Sequence, residues 1–124
     1  MKALVLEDYN AFVYKDVPQP EYEPDEVLVQ VKACGICGSD VHGMDGSSGR
    51  RIPPLIMGHE ASGEIVEVGS EVKNWSIGDR VTFDSTIYKL EDWYTRKGLY
   101  NLSEGSIVLG VSPGEYRRHG AFGE

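Results

Sequence analysis

The chain has 124 residues with 20 acidic and 12 basic side chains, a formal net charge of −8. Such a surface repels nucleic acid and anionic membranes, so neither is expected as the main partner. The length and a 40% hydrophobic content suit one domain with a single core, and 15 glycines with 6 prolines favour short strands and turns over long helices. The two cysteines, Cys34 and Cys37, lie too close in sequence for a disulfide framework of the secreted kind. The apolar start, Met1 to Leu6, stops at Glu7-Asp8, too short for a signal peptide, and no run approaches membrane length. A reducing cytoplasmic setting is the expectation.

In chain order, Lys2 to Leu6 and Ala11 to Val17 read as short strands around an Asp8-Tyr9-Asn10 turn, the start of a hairpin. Pro18 to Pro24 is extended and acidic, with no strand. From Glu26 to Ala33 the alternation is clean. Val27, Val29, Val31 and Ala33 face one way, Leu28, Gln30 and Lys32 the other, giving a half-buried strand that delivers Cys34 and Cys37 at its end. Asp40 to Met44 has room for one helical turn. Gly58 to Gly69 carries a second strong strand pattern around Ile65, Val66 and Val68, with glycines that suggest bulges or close backbone approach. Ile77-Gly78-Asp79-Arg80-Val81 predicts a turn and then a strand to Phe83. This glycine-broken rhythm suits a mainly β, irregular and partly open barrel with short helical turns. From 84 to 110 no period holds, and an excursion with one helical turn near Glu91 to Lys97 is expected. Without a helix of good length, a βαβ arrangement is disfavoured.

The chemistry is concentrated in Cys34-Gly35-Ile36-Cys37-Gly38-Ser39-Asp40-Val41-His42 and Gly58-His59-Glu60, which hold both cysteines and two of the three histidines. A thiolate, an imidazole and a carboxylate brought together by strand and loop suit zinc, and an open position would make such a site catalytic rather than structural. Plainer readings stand beside this one. Cys34-x-x-Cys37 has redox-pair spacing, although no βαβ pattern surrounds it, and Cys34 reads equally as a small buried thiol. His59 alone reads as a satisfied histidine at a strand start, and Glu60 as a solvated charge. Neighbours on a strand point to opposite faces, so His59 and Glu60 can share a metal only if the backbone bends, for which Gly58 gives freedom. Ser39 and His42 are not diagnostic alone, and His119, beside Arg117 and Arg118, reads as exposed surface.

Taken together, the chain closely resembles the N-terminal, GroES-like catalytic domain of zinc-dependent medium-chain alcohol dehydrogenases, the sorbitol (polyol) dehydrogenase-like branch in particular. The resemblance is carried by Asp25-Glu26-Val27-Leu28-Val29, the Cys34 to His42 block, Pro54 to Met57, Gly58-His59-Glu60-Ala61, Val66-Glu67-Val68-Gly69, Gly78-Asp79-Arg80-Val81 and Gly120-Ala121-Phe122. It implies one catalytic-type zinc ligated by Cys37 and His59, with Glu60 as a fixed or exchangeable ligand and water in the remaining place. It implies that Ser39 relays a proton from the substrate alcohol toward His42, and that Asp40 holds the far nitrogen of His59. Zinc would act on the alcohol as a Lewis acid, and a nicotinamide cofactor would accept the hydride.

Two departures from the family pattern stand out. The family continues into a Rossmann domain of on the order of 150 residues. Here no Gly-x-Gly-x-x-Gly follows a strand, so no dinucleotide-binding residues are expected within the single domain 1–124, and NAD(P) would need a further domain. Barrel strands at the end also look cut, which predicts an open edge suited to homo-oligomers. Second, the family's structural-zinc lobe carries four cysteines spaced C-x2-C-x2-C-x7-C. The register set by Tyr88, Gly98, Asn101 and Leu102 puts those positions at Lys89, Asp92, Thr95 and Ser103, so a thiolate cage in 84–110 is impossible. The cysteine expected near Pro113 is missing too. These losses within a kept framework predict an excised or engineered domain.

The leading reading is the zinc-binding catalytic domain of an alcohol or polyol dehydrogenase, without turnover on its own. The alternative is a metal-binding or self-associating β scaffold. A zinc hydrolase comes last, because no base or oxyanion hole is visible.

Overall fold

The N-terminal hairpin forms as its pattern predicts. In a computed structural model that describes residues 1–111 and 118–124, β1 (Lys2–Asp8) pairs antiparallel with β2 (Ala11–Asp16), from Lys2 opposite Asp16 to Asp8 opposite Ala11. Pro113 and Arg117 lie outside the described residues. Asn10 turns the hairpin with a φ of 59°, a left-handed conformation that asparagine tolerates.

A strand not expected from the sequence, β4 (Leu55–Ile56), pairs with β1 through Val5–Ile56 and Leu6–Leu55. Two residues are too few to show a period. What defines this strand is burial of both its side chains. Two adjoining clusters, Ala3-Val5-Ile56 and Leu6-Leu55-Met57, form this part of the core, and Phe122 packs on both. The C-terminal tail is stitched to the same layer. Leu4 N–H donates to the Phe122 carbonyl at 2.8 Å, Gly120 N–H to Ile56 at 2.7 Å and Phe122 N–H to Met57 at 2.9 Å. His119 is exposed, as expected, but its Nδ1 accepts the Ile56 N–H at 3.2 Å, so it also satisfies a strand-edge donor.

The second sheet has the order β3-β5-β6: β3 (Val27–Cys34), β5 (Ala61–Val68) and β6 (Arg80–Thr82). Val27, Val29 and Val31 are half-buried as their alternation predicts, but Ala33 is exposed. The register slips between Val31 and Ala33, which ends the period-2 pattern there. The second strand also begins later than the pattern suggests. Gly58, at φ 93°, turns the chain, and pairing starts only at Ala61.

Between this sheet and the tail runs an open groove of about 910 Å³, with Val27, Val29, Ile65, Val81 and Phe83 in its lining. Among the described residues the sheets do not close, and the architecture is the mainly β, partly open barrel anticipated above.

The excursion is more ordered than its lack of period suggests. β7 (Thr86–Ile87) and β8 (Ile107–Val108) form a two-stranded ribbon at its base. The expected helical turn is α2 (Trp93–Arg96), capped by Asp92, whose carboxylate accepts the Thr95 N–H at 3.1 Å. A 3-10 turn, Tyr100–Leu102, follows, and Tyr100 packs on Tyr88 with ring centroids 5.1 Å apart. Among the described residues, no helix is long and apolar enough to cross a membrane.

Candidate metal centre

Strand register builds the site. β3 ends with Cys34 opposite Ala61, and the Gly35 N–H extends the pairing by donating to the Glu60 carbonyl at 2.8 Å. This zipper puts residues just after β3 beside those just before β5. Cys37 lies on the first side, His59 and Glu60 on the second. Their donor atoms, one each of sulfur, nitrogen and oxygen, all lie within 4.8 Å of one another. The conflict between neighbouring strand residues does not arise, because His59 and Glu60 precede β5 and follow the bend at Gly58.

Asp40 ties the two sides together. It lies in the short helix α1 (Gly38–Gly43), which follows Cys37. Its Oδ2 accepts the Cys37 N–H at 3.1 Å, and its Oδ1 lies 3.4 Å from His59 Nδ1. Nδ1 is buried and has no hydrogen-bond partner. The other ring nitrogen, Nε2, is 3.4 Å from Ser39 Oγ. The imidazole thus turns Nδ1 to the carboxylate and Nε2 to the side where a ligand can bind.

The donors fit a zinc ion on chemistry and on shape. The set is the mixed S/N/O kind that leaves a coordination place open. Gly35 provides the cradle for the Glu60 carboxylate: a Cβ at position 35 would lie 2.8 Å from Glu60 Oε2. Cys34 is different in kind. Partial burial pushes its thiol pKa above the ordinary value, with the Asp40 and Glu60 charges adding to the effect and a backbone hydrogen bond from Glu60 opposing it. Its sulfur donates weakly to the Gly35 carbonyl at 3.6 Å. Both cysteines are free thiols, and among the described residues no βαβ unit surrounds them, so nothing there adds to the redox-pair reading.

Of the residues singled out from sequence, Cys37, Ser39, Asp40, His59 and Glu60 are brought together. His42 is not joined to them: its ring is exposed, and among the described residues no hydrogen bond links it to Ser39. Asp45, three residues on, has its carboxyl held below its ordinary pKa mainly by hydrogen bonds from Ser47.

Sequence reading missed Arg51. It is 2% exposed, and its Nη2 donates to Asp40 Oδ1 and to Ser39 Oγ, each at 3.1 Å. In a glycine-, serine- and proline-rich loop it reads as a solvated charge, and only its burial reveals it.

The model of the alcohol dehydrogenase GroES-like domain matches residues 23–124. L-threonine 3-dehydrogenase of Rhizobium etli (strain CIAT 652) is 39% identical over 128 residues, covering 100% of this chain and 36% of that protein. Sorbitol dehydrogenase of Homo sapiens is 38% identical over 129 residues, covering 97% of this chain and 36% of that protein. The crystal structure of galactitol-1-phosphate dehydrogenase from Escherichia coli superposes with a TM-score of 0.89 at 30% identity, covering 100% of this chain and 34% of that one. The chain thus spans about a third of the length of these relatives. With more than three-quarters of its residues matched, on a mainly β frame, the chain belongs to the alcohol dehydrogenase GroES-like domain family.

Proposed function

We propose that this domain is the metal-holding catalytic part of a zinc-dependent dehydrogenase acting on an alcohol or polyol, the substrate class named for the sorbitol and galactitol-1-phosphate relatives. The observation that carries this reading is the convergence of Cys37, His59 and Glu60 donor atoms within 4.8 Å. Cys37 Sγ, His59 Nε2 and the Glu60 carboxylate would hold the ion, and zinc there supplies Lewis acidity toward an alcohol oxygen.

The remaining roles belong to the chain's own groups. Asp40 orients His59 by facing its Nδ1, which keeps Nε2 free for the metal. Ser39 Oγ, beside His59 Nε2, is placed to relay a proton, accepting one from the substrate hydroxyl as its own passes through water toward His42. His42, on the next turn of exposed chain, would pass that proton to solvent through water. The hydride acceptor, NAD(P), would be bound by a further domain, so residues 1–124 by themselves would hold metal without turning over. Residues 84–110 would replace the family's structural-zinc lobe with hydrogen bonds, such as the Asp92 cap on Thr95, and with the Tyr88–Tyr100 contact.

The test is the zinc content of the purified chain, with Cys37→Ser as control. One zinc per chain, lost in the variant, is the expected result. A folded chain without zinc, or zinc retained by Cys37→Ser, overturns the reading.

A further inference from the structure

A buried arginine beside the donor cluster is not explained by stability. Arg51 and Asp40 side chains are 3% and 4% exposed and form an ion pair at 3.1 Å. Arg51 Nε is buried without a hydrogen-bond partner. Replacing such a pair with apolar side chains is often neutral or stabilising, so a buried pair with an orphaned N–H is weak evidence of a stabilising device. The fold also makes room for it. A Cβ at Gly43, the last residue of α1, would lie 2.5 Å from Arg51 Cδ and Nη1.

We propose that Arg51 is a positioning residue of the metal centre: its guanidinium clamps Asp40 and Ser39 together, aiming one at His59 Nδ1 and the other at the ligand side. This rests on the metal reading above. Two features of the guanidinium matter. It is a donor only, so its bond to Ser39 uses a lone pair of the hydroxyl and leaves the Ser39 proton to point elsewhere. The group in reach is on the side of His59 Nε2, at 3.4 Å. It is also planar and rigid, and the same Nη2 serves both oxygens, so Asp40 Oδ1 and Ser39 Oγ keep a fixed separation. With Oδ2 on the Cys37 N–H, hydrogen bonds run from Cys37 through Asp40 and Arg51 to Ser39, whose Oγ lies 3.4 Å from His59 Nε2. A lysine has the charge and the donors but sits on a flexible stem without the rigid plane, so it does not fix the two oxygens relative to each other.

Cobalt(II) alone is the probe, titrated into the metal-free full chain, because thiolate ligation gives it a near-ultraviolet charge-transfer band. The wild type is expected to bind one equivalent with that band. Arg51→Lys is expected to weaken binding about 10–100-fold, the usual cost of losing an outer partner of a ligand, and to alter the band. On an Asp40→Asn background, Arg51→Lys should weaken binding no further, since the clamp acts through Asp40. If Arg51→Lys does not fold, the Asp40→Asn/Arg51→Met pair removes both charges and should bind cobalt as weakly as Asp40→Asn alone. Wild-type affinity in Arg51→Lys, or losses that add in full to Asp40→Asn, would overturn the clamp while leaving the metal site intact. A wild type that binds no cobalt through a thiolate overturns the metal reading itself, and the clamp with it.

Discussion

Gly35 and Glu60 meet twice: the Gly35 N–H donates to the Glu60 carbonyl at 2.8 Å, and the missing side chain of Gly35 leaves the space that the Glu60 carboxylate fills. The first contact continues the strand zipper, and the second lets an otherwise exposed carboxylate fold back toward Cys37 and His59. Gly35→Ala should therefore displace the carboxylate, the movable end of its side chain, while the backbone pairing persists. Zinc affinity should fall about 10–100-fold with little change in the thermal midpoint of the metal-free chain, read by chelator competition and thermal unfolding. Unchanged affinity would mean that Glu60 takes no part in the site.

The three donors should not be equal. Cys37→Ser and His59→Ala each remove one of two half-buried ligands and should abolish stoichiometric zinc binding. Glu60→Gln, at the exposed edge, should retain zinc at reduced affinity. Equal losses in all three would mean that Glu60 is a full ligand rather than an exchangeable one. Metal analysis after dialysis against a weak chelator separates these outcomes.

Gly63, on β5, packs its backbone closely against β3. A Cβ there would overlap the Gln30 carbonyl oxygen and crowd Val29 Cγ1. The backbone cannot retreat without breaking the pairing that aligns Cys34 with Ala61. Gly63→Ala should cost about 1–3 kcal/mol in denaturant unfolding and weaken zinc binding in parallel, since it disturbs the register that assembles the site. Stability near that of the wild type would show that the two strands can separate locally without harm.

Acid should act through Glu26. The Glu23 N–H and then the Arg118 guanidinium, at 2.9 Å and 2.7 Å, hold its carboxyl below its ordinary pKa of 4.5, against an opposing effect of burial. Because the folded value is the lower one, this contribution is fully present above 4.5 and is lost as the pH falls through the folded value. Glu26→Gln should lower the thermal midpoint at neutral pH, and the gap to the wild type should close in acid. A gap independent of pH would mean that the residue acts through packing alone.

The lobe between 84 and 110 can be tested by restoring what the family pattern carries there. Replacing Lys89, Asp92, Thr95 and Ser103 together by cysteine should add one bound metal per chain, measured against the unaltered protein. The Asp92–Thr95 hydrogen bond already shows two of these positions in contact. No added metal would mean that the four positions do not converge.

The amino-acid sequence alone determined the donor types and the strands that carry them. Period-2 alternation in β3 is a local property, as is the freedom of Gly58 to bend ahead of β5, while Cys37, His59 and Glu60 stand out as one ligand set only through the family resemblance of the motifs that carry them. The tertiary structure decided which of the flagged side chains meet. His42 and Ser39 look equally promising in sequence, yet only Ser39 comes within reach of His59, while α1 leaves the ring of His42 exposed. Arg51 carries no local signal at all. Its role comes from being 11 and 12 positions away from Asp40 and Ser39 in the chain but in contact with both, across space that Gly43 leaves free. β4 and the tail pairing at Phe122 are likewise contacts between distant segments, too short to show a period. A periodic pattern records which face of an element is buried. Which distant residues share that burial is set only when the sheets pack and their backbone hydrogen bonds select one register.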